Sequence, residues 1–115
     1  MLIKINRAIP QRRYRLGGFE VVILGEIESP DPTQYHYLLA VIPDGEAQPV
    51  LYISCEQSTE GSERGQYFIR VTSDAGEKLL GPVAQWQYLE SFVTDALLMV
   101  RKVMNLMDEE PMRIL

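Results

Sequence analysis

The amino-acid sequence predicts an α+β fold: an antiparallel β-meander of five or six strands, open or curled toward a barrel, packed against one long C-terminal α-helix. Three observations favour this fold. Apolar and polar residues alternate in several short segments between residues 19 and 80. The turns between these segments are too short to hold the crossover helices of a parallel sheet. A long segment with helical spacing of its apolar residues follows, from residue 82 to residue 107.

The strands can be assigned in order along the chain. Residues 1–7 predict a short strand that Pro10 ends, because proline cannot donate a hydrogen bond to a ladder. Residues 12–16 can add another extended segment. Asp44 and Gly45 predict a hairpin turn between two of the later strands. These later strands are residues 19–28, 34–43, 48–57 and 66–73, and a short last strand at 77–81.

The C-terminal helix carries more apolar surface than one sheet face requires. Gly81 and Pro82 predict its start, since proline is favoured at the first helical position. One stripe has residues spaced three and four apart: Trp86, Leu89, Val93, Ala96, Val100, Val103 and Met107. A flank beside it consists of Tyr88, Phe92, Met99 and Leu106. The apolar sector is therefore about 180° wide, whereas about 100° suffices for a helix with one covered face.

This excess of apolar helix surface predicts that the helix contacts a further segment or chain besides the sheet face that it covers. Both sheet faces carry apolar residues, as Leu24, Leu38 and Ile42 show for the second face. The second face is therefore expected to be closed in a barrel or covered by another chain. The candidate partner interface consists of Tyr88, Phe92, Met99, Leu106 and Met107, and a homodimer is the predicted assembly. The alternatives are an unidentified protein partner, or the chain's own N-terminal segment folded over the flank.

The chain predicts a single domain, residues 1–115, with 46% hydrophobic residues and enough length to bury a core. Its parts are a basic N-terminal strand or arm at 1–16, the meander at 19–80, the helix at 82–107 and a tail at 108–115. No apolar run is long enough to span a bilayer, and the N-terminal segment lacks the apolar core of a signal peptide. With Cys55 as the single cysteine, these features predict a cytoplasmic protein without membrane contact.

Basic residues are concentrated near the N-terminus of an otherwise acidic chain. The net charge is −5, yet no lysine or arginine lies between Leu16 and Glu63. Arg7, Arg12, Arg13 and Arg15 therefore form a candidate anion-binding arm for a nucleotide or single-stranded nucleic acid. The alternative is that this segment lies against the acidic middle of the chain. The low isoelectric point, near 4.8, argues against non-specific nucleic-acid binding.

Catalytic and metal-binding motifs are not found. One histidine, His36, and one cysteine, Cys55, leave no paired ligands for a metal, and no serine has the context of a nucleophile elbow. We therefore predict no catalytic residues, metal ligands or cofactor. An enzyme that uses carboxylates as acid and base is the remaining alternative, with Asp44, Glu46 and Glu56 as its candidates.

The segment "EQSTEG", Glu56 to Gly61, resembles the D/N-x-S-x-x-G element of PilZ domains. The resemblance implies a small six-stranded barrel followed by a helix, with an upstream arginine pair that binds cyclic di-guanylate. Here the first position is Glu56, "SERG" interrupts the strand after the glycine, and Arg12 and Arg13 lie further upstream than the family places them. The resemblance covers six residues and the basic segment only.

The function predicted from the sequence is a non-enzymatic interaction or accessory module that self-associates through its excess apolar helix and sheet surface. Unused apolar surface without a catalytic motif favours this class. The alternative is a module that binds a nucleotide or single-stranded nucleic acid through the basic N-terminal arm.

Overall fold

The structure, a computed structural model, describes residues 3–115 and has an open antiparallel sheet packed against one C-terminal helix. The sheet contains seven strands: β1 (Arg7–Leu16), β2 (Phe19–Glu28), β3 (Gln34–Pro43), β4 (Leu51–Gln57), β5 (Tyr67–Ser73), β6 (Gly76–Leu80) and β7 (Met112–Arg113). Their order across the sheet is β6-β5-β4-β3-β2-β1-β7, and the helix is α1 (Leu89–Val103). The predicted α+β class and the meander are confirmed. The sheet does not close into a barrel.

Tight turns connect the first strands because the chain has glycine where the backbone needs it. Gly17 adopts a φ of +56° between β1 and β2, a conformation that costs glycine little. Gly45 does the same, with a φ of +78°, between β3 and β4. Antiparallel pairing follows on both sides, so the predicted hairpin at Asp44 and Gly45 is confirmed.

The α-helix is shorter than the predicted range of 82–107. Residues Ala84–Gln87 form a 3-10 turn, and Tyr88 is extended before α1 begins at Leu89. The side chain of Trp86 explains this start, since it is buried in the core and its Nε1 donates a hydrogen bond to Asp95 Oδ2 at 2.8 Å. At the other end Asn105 has a φ of +56°, and the Leu106 amide donates to the Arg101 carbonyl at 2.7 Å. These are the features of a Schellman C-cap.

Both ends of the chain depart from the predicted arrangement. Residues 3–6 precede the sheet instead of forming its first strand, and Met1 and Leu2 lie outside the described residues. Pro10 does not end the strand but lies inside β1, where shifts of register on either side accommodate it. In the tail, Met112 and Arg113 pair with Arg15 and Tyr14, so that β7 becomes the strand beside β1.

The two faces of the sheet bury different clusters. The larger core lies between the sheet and α1 and contains, among others, Val21, Ile23, Leu39, Val41, Ile53, Ile69, Phe92, Ala96 and Val100. On the opposite face a smaller cluster of Leu38, Ala40 and Tyr52 is covered by Ile3 and Ile5. The N-terminal segment therefore covers part of the face for which the sequence predicted a barrel or a second chain. In the part of the chain that the structure describes, no helix is long and apolar enough to cross a membrane.

Candidate interaction surface

Strand β6 forms one edge of the sheet. It pairs with β5 on one side, from Ile69 opposite Leu80 to Ser73 opposite Gly76. On its other side no strand pairs with it within residues 3–115. Its outward backbone N–H and C=O groups can therefore hydrogen-bond another extended segment.

A groove runs between this edge and the C-terminal half of α1. Its volume is about 370 Å³, and its apolar walls are Val71 and Leu80 from the sheet and Met99 and Val103 from the helix. Val103 continues the buried helix stripe of Ala96 and Val100 but is 56% exposed. The turn between β5 and β6 passes beside this last helical turn without covering it, because β6 has only five residues.

The groove has a positive rim. Lys78 from β6 and Lys102 from α1 line it and are both exposed. Glu77 also lies at the groove, but its carboxylate accepts a hydrogen bond from Arg70 Nη1 at 3.0 Å. Two lysines beside an apolar floor therefore define this surface, which we call the β6–α1 groove.

Only one residue of the interface predicted from the sequence lies in this groove. Met99 lines it, whereas Tyr88 is exposed at the opposite end of α1. Phe92 is fully buried in the core, with its ring stacked on Tyr37 at a centroid distance of 5.4 Å, so its side chain does not reach the surface of this chain. The flank is therefore not uniform: Phe92 faces the core, Met99 and Leu106 are half-buried, and Tyr88 is exposed. The remaining two are Leu106, half-buried near Gly17, and Met107, which is exposed.

The predicted anion-binding arm is part of the sheet, and most of its charges are paired. Arg12 forms an ion pair with Glu90 of α1, Arg13 lies 3.5 Å from Glu20, and Arg15 lies 2.6 Å from Asp44. Arg7 is exposed at the start of β1. The pairs with Glu20 and Asp44 agree with the alternative in which the basic segment lies against the acidic middle of the chain, whereas Arg12 pairs with the C-terminal helix instead.

The carboxylates considered for acid and base chemistry are separated and engaged elsewhere. Asp44 pairs with Arg15, and Glu46 is exposed in the β3–β4 loop. Glu56 accepts hydrogen bonds from Arg70 Nε at 2.9 Å and from the hydroxyl of Ser54 at 2.7 Å.

The two potential metal ligands considered from the sequence make different contacts. His36 Nε2 donates to the Gln87 carbonyl at 2.8 Å, while Cys55 is buried against Trp86. Burial raises the pKa of the Cys55 thiol to about 12, and the nearby Glu56 carboxylate adds to the rise. Among residues 3–115 no three histidine, cysteine or acidic side chains come together as a group that could hold a metal ion.

The β6–α1 groove was missed at the sequence level because it depends on how far the helix extends past a short strand. The signals that could have indicated it were the five-residue length of β6 and the position of Val103 at the end of the stripe. The open sheet also lacks the barrel that the resemblance to PilZ domains implied. No family of known proteins, no curated protein and no solved structure matches this chain.

Proposed function

We propose that this protein is a non-enzymatic interaction module that binds an extended acidic and apolar segment of a partner protein along β6. The observation that carries the proposal is the free edge of β6 beside an apolar groove with two lysines on its rim. Addition of a strand to an exposed sheet edge is a common way to recognise a peptide.

The geometry assigns separate roles to the backbone and the side chains. The partner's backbone pairs with the outward groups of β6, which supplies affinity without regard to sequence. Alternate side chains of an extended segment point to the same side of a strand, so every second residue enters the groove. Among these groove-facing positions, apolar residues contact Leu80, Met99 and Val103, and acidic residues meet Lys78 and Lys102 on the same side of the sheet.

The interface is small, because β6 has only five residues. Contacts of this size fall in the range of weak, transient complexes, below about 1,200 Å² of buried surface. A dissociation constant of roughly 10–500 µM is therefore expected.

A symmetric contact between two copies of β6 fits less well than an acidic partner. A two-fold axis through a continuous antiparallel sheet is perpendicular to it, so residues on the same face lie opposite each other. If the two strands pair symmetrically about the centre of β6, Lys78 lies opposite Lys78 of the second copy. Like charges directly opposite each other are destabilising. The homodimer predicted from the sequence stays a prediction, and sedimentation at micromolar concentrations measures it directly against the chain mass of 13.1 kDa.

Binding can be tested with a blocked heptapeptide in which threonine alternates with valine or glutamate, so that valine and glutamate point to the same side of the strand. Binding is followed through the backbone amide resonances of the ¹⁵N-labelled protein. We expect saturable shifts concentrated on β6 and on the groove side of α1. Val103→Glu should abolish them, since it places a carboxylate in the apolar floor. Met107→Glu is the matched control, because Met107 is exposed outside the groove.

Three outcomes would contradict the proposal. The heptapeptide could leave the β6 resonances unchanged, or the same peptide with lysine in place of each glutamate could bind equally well. Alternatively, the wild-type protein could sediment as a dimer that Val103→Glu disperses, which would make a second copy the occupant of the groove.

A further inference from the structure

Strands β2 and β3 pair over only part of their length. Their register runs from Phe19 opposite Pro43 to Leu24 opposite Leu38 and ends there. Beyond this point residues 25–28 of β2 stay with β1, while residues 34–37 of β3 stay with β4. The two strands therefore diverge, and a cleft of about 580 Å³ opens between them. It is separated from the β6–α1 groove by β4 and β5 in the order of strands across the sheet.

The β2 wall of this cleft is acidic. Glu26 and Glu28 line it with exposed carboxylates, and Glu26 has a φ of +48°, which is uncommon for a residue with a side chain. The amide side chain of Gln11 lies against Gly25, where an added Cβ would be 3.0 Å from Gln11 Nε2. Glycine at position 25 therefore leaves room for the polar Gln11 side chain at the cleft.

The β3 wall is aromatic and comes from three consecutive residues, Tyr35, His36 and Tyr37. A shift of register between Tyr35 and Tyr37 is a β-bulge, which changes the direction of the side chains near it. The His36 ring lies 4.3 Å from that of Tyr37, and its Nε2 is held by the Gln87 carbonyl at 2.8 Å. This wall is therefore fixed to the 3-10 turn before α1.

The charge around the cleft is negative. None of its eight lining residues is a lysine or arginine, and Asp31 adds a third carboxylate 3.4 Å from the Tyr35 hydroxyl. Arg7 is the cross-strand neighbour of Glu28 on β1, and no ion pair joins the two within the described residues. A volume near 580 Å³ is in the range of sites for small organic molecules.

We propose that this cleft is a binding site for an organic cation of the guanidinium type. A guanidinium group is planar, donates paired hydrogen bonds to a carboxylate and stacks on aromatic rings. Glu26 and Glu28 supply the carboxylates, and the β3 wall supplies the rings. The site lies apart from the β6–α1 groove and does not depend on the function proposed for that groove.

The guanidinium could belong to a free compound or to an arginine side chain, and two probes separate these sources. Agmatine represents the free compound and N-acetyl-arginine amide represents the residue. N-acetyl-citrulline amide has nearly the same shape without the charge. In titrations of the ¹⁵N-labelled protein at low salt, we expect dissociation constants of about 1–10 mM for at least one cationic probe. The shifts should be confined to residues 25–28 and 35–37 and to the Gln11 amide.

Variants test whether the acidic wall is responsible. Glu26→Gln combined with Glu28→Gln should weaken binding by about tenfold. The matched control is Glu60→Gln combined with Glu63→Gln, which removes the same charge from an exposed loop outside the cleft and should leave binding within about twofold. The proposal is overturned if the citrulline compound shifts the same resonances as strongly. It is also overturned if both double variants weaken binding equally, or if neither cationic probe perturbs the cleft.

Discussion

The two faces of the sheet use the same strands in different ways. On the face toward α1, alternate residues such as Ile23, Leu39 and Ile53 are fully buried in a continuous apolar core. On the other face the buried apolar cluster of residues 3–115 consists of Leu38, Ala40 and Tyr52, and the N-terminal residues Ile3 and Ile5 pack against it. The comparison shows that apolar alternation on both faces does not require equal cover, because a short extended segment can shield a small cluster.

Another part of the second face carries a network of ion pairs and hydrogen bonds. Arg70 makes a bidentate contact with Glu56, at 2.9 and 3.3 Å, and a third bond to Glu77 at 3.0 Å. Ser54, which is fully buried, donates its hydroxyl hydrogen to the same Glu56. Hydrogen bonding to Glu56 raises the pKa of Arg70 above its ordinary value, so the guanidinium stays charged. The second face therefore has an ionic network where the first face has a core.

The largest effect is expected on the helix face. Phe92→Ala should lower the free energy of unfolding by about 3–5 kcal/mol, since it empties a fully buried position against Tyr37. Urea denaturation measures the loss. Tyr88→Ala is the control, because Tyr88 is 63% exposed and should cost under about 0.5 kcal/mol. Equal losses in the two variants would contradict the orientation of α1.

Breaking the ionic network should cost less. Arg70→Met leaves the mostly buried carboxylate of Glu56 without its cation and should lower the free energy of unfolding by about 1–3 kcal/mol. Adding Glu56→Gln should recover part of this loss, because the unpaired charge is removed. Arg13→Met provides the comparison, since the pair of Arg13 and Glu20 is more exposed and is expected to contribute under about 1 kcal/mol. A loss from Arg70→Met no larger than that from Arg13→Met would show that the network is not important for stability.

Alkaline pH tests whether water is excluded from the core between the sheet and α1. Burial raises the pKa of Cys55 to about 12 in the folded chain, above the ordinary thiol value of 9.0. Its stabilising contribution is therefore complete below about pH 9 and is lost as the pH rises toward 12. At pH 10 the loss relative to pH 8 should be about 1 kcal/mol greater in the wild type than in Cys55→Ala. Urea midpoints at the two pH values measure it, and parallel curves for both proteins would indicate that water reaches the thiol.

The smallest effect is expected where the N-terminal segment covers the second face. Ile5→Ala removes part of a half-buried side chain and should lower the free energy of unfolding by about 1 kcal/mol. The same denaturation experiment measures it. A loss comparable to that of Phe92→Ala would mean that the second face depends on this segment as strongly as the first depends on α1.

The strands and the fold class could be predicted from the sequence because their signals are local. Alternation over residues 19–28 and 34–43 and the Asp44–Gly45 turn are read from neighbouring residues, and β2 and β3 have these bounds in the structure. Helical spacing also identified the residues that α1 buries, including Val93, Ala96 and Val100. It did not reveal the late start, because Trp86 fits the stripe although its backbone lies in a 3-10 turn.

The candidate sites depend on features that are not local. The β6–α1 groove exists because a short strand stops beside a longer helix, and the cleft exists because β2 and β3 follow different neighbours beyond Leu24 and Leu38. The spacing of apolar residues specifies neither where the pairing of β2 with β3 ends nor how far α1 extends beside β6. The ion pairs of Arg12 and Arg15 likewise join residues far apart in the chain, so a basic segment that looked free in the sequence lies in the sheet.

The pairing of β7 with β1 joins segments separated by almost the whole chain. It rests on a two-residue strand and on the bond from the Ile114 amide to the Arg13 carbonyl at 2.9 Å, while Met112, Ile114 and Leu115 remain largely exposed. We expect a contact that closes so long a loop to form late in folding and to open without disturbing the core. Backbone amides at this junction should therefore exchange with solvent well before those of β3 and β4. Within residues 3–115 no strand pairs with the outer side of β6, whereas we expect the β1 edge to become accessible only when β7 opens.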